Sequence, residues 1–165
     1  MSIPLRLTTR AEPALDRPII AGPDDSRPIV ACGNDLVRVL VPSEATSNAY
    51  AVWVHTAQPG SGPPLHVRMR EDEIFHILEG RPCILCDGRS YEASPGDTAA
   101  LPRGLAHSFR VISATPARKL MTVVLDGFEH FFEAAAEPHL AEDEARVRLI
   151  GEEFGVHLVD PPLEG

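Results

Sequence analysis

The sequence predicts an all-β chain that closes into a barrel and ends in two helices. Three observations carry that prediction. From Asp35 to Leu125, short β-branched and aromatic runs recur at roughly ten-residue intervals, the spacing of a sandwich or barrel. The segments between them are turn formers: PGSGPP, EGRP, DGRS, SPGD, PRG and SATP. After Asp126 the texture changes to two stretches of helical periodicity.

The elements follow in order. Residues 1–34 are Pro-rich and weakly patterned, and read as an arm with one short strand around Pro18–Ala21. Strand runs follow at 36–41, 49–56, 73–78, 82–86, 98–102, 107–112 and 119–125. Asp87-Gly88 between two apolar runs is a hairpin turn signal. FEHFFEAAAE at 128–137 places Phe128, Phe131, Phe132 and Ala135 on one helical face, with Pro138 as its stop. AEDEARVRLIGEEFG at 141–155 repeats the pattern, with an acidic start and Gly155 to end it. Both helices are expected on the outside of the barrel. The chain thus reads as one domain over 1–165: arm 1–34, barrel 35–125 and helical tail 126–165.

Composition narrows the function. With 165 residues the chain can bury a core without disulfide staples. A formal net charge of −9 argues against nucleic acid or an anionic membrane as partner, since both demand a basic face. The three cysteines, an odd number, read as reduced thiols. No long apolar window and no apolar leader is present, so a cytoplasmic location is expected. Cys83 and Cys86 form a CxxC. Residues three apart on a strand face opposite ways, so the pair reads as small apolar strand residues.

The chemistry lies in two blocks, Gly60 to Gly80 (GSGPPLHVRMREDEIFHILEG) and Gly96 to Val111 (GDTAALPRGLAHSFRV). His66 and residue 68 are two apart, so on a strand both point to one face, the interior of a small barrel. Glu73 shares a face with Phe75 and Ile77, and His107 with Phe109 and Val111. Two imidazoles and a carboxylate suit a divalent metal with open positions for substrate. Arg68 stands beside them and cannot be a ligand, because its guanidinium does not deprotonate.

These blocks resemble the cupin patterns G-x5-H-x-H-x(3,4)-E-x6-G and G-x5-P-x-G-x2-H-x3-N. Gly60, His66, Glu73 and Gly80 match the first, with Arg68 in place of the second histidine. Gly96, Pro102, Gly104 and His107 match the second, with Val111 in place of asparagine. The likeness extends over roughly residues 35–163 to quercetin-dioxygenase-like single-domain cupins. It implies a double-stranded β-helix (jelly-roll-like) barrel with C-terminal helices, and a homodimer. It also implies a divalent metal (Fe, Mn, Ni or Zn) on His66, Glu73 and His107, with Glu73 doubling as a proton acceptor. The ligand would be a small aromatic or enol molecule, with Arg68 meeting a substrate oxyanion. Arg68 leaves a second outcome open: a metal-free binding module or structural dimer in which it pairs with Glu73. His55 could reach the same pocket as a further ligand. His76 should face away, and REDE at 70–73 reads as a solvated cluster.

Overall fold

The computed structural model describes residues 15, 17–22, 25, 29–31, 34–124, 127–136 and 143–162. The first fourteen residues, Cys32, Pro138 and the last three residues, which the sequence reading included, lie outside them. Two antiparallel sheets face each other. The larger is ordered β1 (Ile29–Ala31), β2 (Asp35–Val41), β3 (Tyr50–Ala57), β10 (Ala117–Val124), β5 (Asp72–Glu79), β8 (Thr98–Leu101). The smaller is ordered β11 (Val156–Pro162), β4 (Pro64–Arg68), β9 (Ala106–Val111), β6 (Pro82–Cys86), β7 (Arg89–Glu92).

Alternation does the sorting. Along β3, β5 and β10, buried and half-buried positions alternate, so each strand gives one face to the space between the sheets. Trp53, Phe75, Ile77, Ile84, Phe109 and Val123 fill that space. The β6–β7 hairpin turns at Asp87 and Gly88, both at positive φ (49° and 71°), as the Asp-Gly signal requires. Gly62 is needed for a different reason: a Cβ there would lie 1.8 Å from the Phe109 carbonyl oxygen. The loop before β4 can therefore lie against β9, where Val111 donates its N–H to the Ser61 carbonyl at 2.9 Å.

Several expectations are corrected. Residues 18–21 form no strand, and Ile20 is 91% exposed. Ile29–Ala31 instead adds to the edge of the larger sheet through β2. The two helices form, as α1 (Glu129–Ala134) and α2 (Glu144–Glu153), with the Asp143 side chain accepting from the Arg146 N–H to cap α2. However, α1 does not lie on the barrel's outer surface. Its rings point between the sheets, and Phe132 packs edge-on against Trp53 at 5.5 Å between centroids. Nor is the tail purely helical. After Gly155 (φ 72°), Val156–Pro162 pairs with β4. The reason is that β4 carries backbone groups on both sides; β9 satisfies one and β11 covers the other. No helix among the described residues is long and apolar enough to cross a membrane.

Candidate metal centre

The sheet pairing builds the site. His66 on β4 and His107 on β9 are direct register partners, and their rings lie 4.5 Å apart between centroids. Glu73 enters from the opposite sheet, on β5. All three are buried. Their ligand-type atoms lie within 4.8 Å of one another. The three residues read from the sequence as one interior point thus meet between the sheets.

Both imidazoles are held the same way. His66 Nδ1 lies 2.9 Å from the Pro64 carbonyl and His107 Nδ1 lies 3.0 Å from the Leu105 carbonyl. A carbonyl only accepts, so each Nδ1 carries the hydrogen and donates it. Each Nε2 is thereby left for the site. His107 Nε2 lies 3.0 Å from Glu73 Oε2. A nitrogen lone pair and a carboxylate oxygen repel at that distance, so a cation, either a proton or a metal ion, belongs between them. Burial, reinforced by His107 and Arg68, pushes the His66 pKa down to about 3, which keeps its imidazole neutral. This donor set fits a divalent ion: two imidazoles oriented by backbone carbonyls, and a carboxylate.

Arg68 occupies the other side of Glu73. Its Nη2 lies 2.6 Å from Glu73 Oε1, and its guanidinium carbon stacks 3.4 Å from the centre of the Phe128 ring. Burial alone would raise the Glu73 pKa, but Arg68 and His107 override it and hold the carboxyl at about 2. The two oxygens are therefore divided: Oε1 faces the guanidinium and Oε2 faces His107. Nε and Nη1 of Arg68 have no hydrogen-bond partner among the described residues.

A cavity of about 680 Å³ opens from this point. Phe75, Phe109 and Met121 from the barrel line it, together with Phe128 at the N-cap of α1 and Phe131 and Phe132 within α1. At its wall, Asp35 Oδ2 lies 3.1 Å from His55 Nε2 and accepts from Ser61 Oγ at 2.8 Å. His55 is thus turned to Asp35 and is not one of the converging ligand atoms. His76 faces out to Thr98 Oγ1 at 2.9 Å, as alternation required. Cys83 and Cys86 are half-buried free thiols.

Two features escaped the sequence reading. Glu71, read as part of a solvated cluster, is buried, 3.9 Å from Arg68 Nη1. Lys119 is fully buried, with Nζ 2.8 Å from the centre of the Phe109 ring. The signal for Lys119 was available: with Met121 and Val123 facing in, position 119 must as well.

A sequence model of the cupin domain matches residues 53–123. Residues 53–123 are a cupin domain. It is 28% identical over 108 residues to quercetin 2,3-dioxygenase of Bacillus subtilis, an alignment covering 65% of this chain and 32% of that protein. The cupin chain therefore spans about a third of that relative's length. It is 26% identical over 98 residues to an uncharacterized protein of Methanocaldococcus jannaschii, covering 59% of this chain and 78% of that one. Among solved structures, a predicted oxalate decarboxylase from Thermotoga maritima superposes with a TM-score of 0.62 at 23% identity, over 66% of this cupin and all of that chain. At that identity the likeness concerns the fold alone.

Proposed function

We propose that this cupin binds a small planar aromatic or enol-type molecule and acts on it as a dioxygenase-like oxidoreductase of the cytoplasm. His66, Glu73 and His107 would hold the divalent metal. The observation that carries this reading is the pair of Nδ1–carbonyl contacts, which leave two imidazole nitrogens free beside one carboxylate. A bound divalent ion supplies Lewis-acid polarisation and open coordination positions. The chain's own residues do the rest. The phenylalanines of β5, β9 and α1 supply apolar faces for a flat ligand. Arg68, whose Nη1 and Nε lack protein acceptors among the described residues, offers N–H groups to a ligand oxyanion. Glu73 stays ionised while Arg68 remains in place, so its service as a proton acceptor requires the ligand to draw Arg68 away. The distant likeness to a quercetin dioxygenase supports an aromatic ligand.

The Arg68–Glu73 contact favours a second reading, a metal-free binding module or structural homodimer in which the guanidinium alone neutralises the carboxylate. Metal analysis separates the two. On the first reading, protein expressed with ample iron, manganese, nickel or zinc holds about one ion per chain in the barrel, and His107→Ala loses it. Wild-type protein whose metal content His107→Ala leaves unchanged would overturn the oxidoreductase reading.

A further inference from the structure

A second cavity, of about 340 Å³, lies on the other side of Phe128, whose ring lines both spaces. His130 of α1 and Ser43 line it, and beside it Glu44, from the turn Ser43–Thr46 after β2, meets Glu129 and His130, with ligand-type atoms within 4.8 Å of one another. Glu129 is only 4% exposed. Its Oε1 accepts from the Ser43 N–H at 2.5 Å, while its Oε2 has no hydrogen-bond partner among the described residues. The Ser43 hydroxyl at the same cavity is likewise unmatched among them. A buried carboxylate oxygen without a partner is costly, and a cation is what resolves it.

His130 is arranged for the same purpose. Its Nε2 lies 2.8 Å from Glu44 Oε1, and its Nδ1 lies 3.5 Å from Glu133 Oε2. A carboxylate behind the outer nitrogen of a ligating imidazole is the usual way such a ring is oriented. We propose that Glu44, Glu129 and His130 form a second divalent-cation site, separate from the barrel triad. The imidazole points to a borderline ion such as Zn²⁺ and away from Ca²⁺ or Mg²⁺, which take oxygen ligands. The ion would tie the Ser43–Thr46 turn to α1. It would thereby fix Phe128, the ring on which Arg68 stacks.

The test uses the full chain with the barrel triad disabled by His66→Ala and His107→Ala. Calorimetric titration with Zn²⁺ should show one saturable event per chain and a raised thermal midpoint. Adding Glu44→Gln, a side chain 60% exposed and so safe for folding, should abolish both effects. Glu133→Gln should weaken binding about 10-fold or more. No saturable binding, or binding that Glu44→Gln leaves unchanged, overturns the site. If the doubly substituted chain does not fold, zinc content is compared between the wild type and Glu44→Gln alone. A loss of one ion per chain supports the site, and equal content overturns it. Because the barrel triad is absent or constant in each comparison, failure of this site is distinguishable from failure of the barrel reading.

Discussion

The Arg68 guanidinium sits 2.6 Å from one oxygen of Glu73, while His107 sits 3.0 Å from the other. The carboxylate is therefore held from both sides, and each partner constrains what the other can do. With Arg68 on Oε1, only Oε2 remains for the imidazole side of the pocket.

Removing Arg68 should expose that dependence. In Arg68→Met, Glu73 stays buried with one cation fewer. The metal-free protein in chelator should lose about 3–5 kcal/mol, the usual cost of breaking a buried ion pair from one side. Urea denaturation measures it. Added divalent metal should recover part of the loss; on the metal-free reading Arg68→His should also raise bound metal above the wild-type level, whereas on the metal-bound reading it leaves about one ion per chain. A variant as stable as the wild type in chelator would show that Glu73 does not rely on the guanidinium.

Gly62 should tolerate no side chain. Its Cβ would sit 1.8 Å from the Phe109 backbone oxygen, and a backbone atom cannot swing aside as a side chain does. Gly62→Ala is expected to cost about 1–3 kcal/mol by forcing the loop off β9. Thermal melts would report the loss, and an unchanged midpoint would mean that the loop can shift freely.

His55 should make stability sensitive to mild acid. Burial, with Lys119 adding to it, lowers the His55 pKa below 6.5, and Asp35 only partly offsets this. As pH falls through 6.5 the unfolded chain takes up a proton that the folded chain refuses, so stability declines from there toward the folded pKa. His55→Gln removes that contribution. Its midpoint should fall less than that of the wild type between about pH 7 and 5. Parallel pH profiles would argue against a neutral buried His55.

Lys119 should be a liability to folding. Its amine is fully buried, and burial lowers its pKa well below the ordinary value despite Asp35 and Glu73. At neutral pH the unfolded lysine is charged and the folded site opposes that charge. Lys119→Met keeps the length and apolar stem, and is expected to be neutral or stabilising by about 1–4 kcal/mol. A marked destabilisation would instead mean that the amine supports the Asp35 and Glu73 carboxylates.

The sequence by itself determined the seven strands β2, β3, β5, β6, β8, β9 and β10, because period-two burial and Gly, Pro and Asp turn chemistry are local properties. The Asp87-Gly88 hairpin and the inward set of His66, Glu73 and His107 were legible for that reason. It also determined that Arg68 would share their face, two residues beyond His66. The tertiary structure alone decided what Arg68 touches. That depended on β5 lying across from β4 and on α1 bringing Phe128 over the guanidinium. Only the fold revealed that Val156–Pro162 completes the sheet beside His66, since seven residues after a helix gain strand identity from an available edge. Likewise, α1 reads as amphipathic from its own residues, but which space its aromatic face fills is set by the gap between the sheets. Periodicity specifies a face; long-range pairing specifies what that face meets.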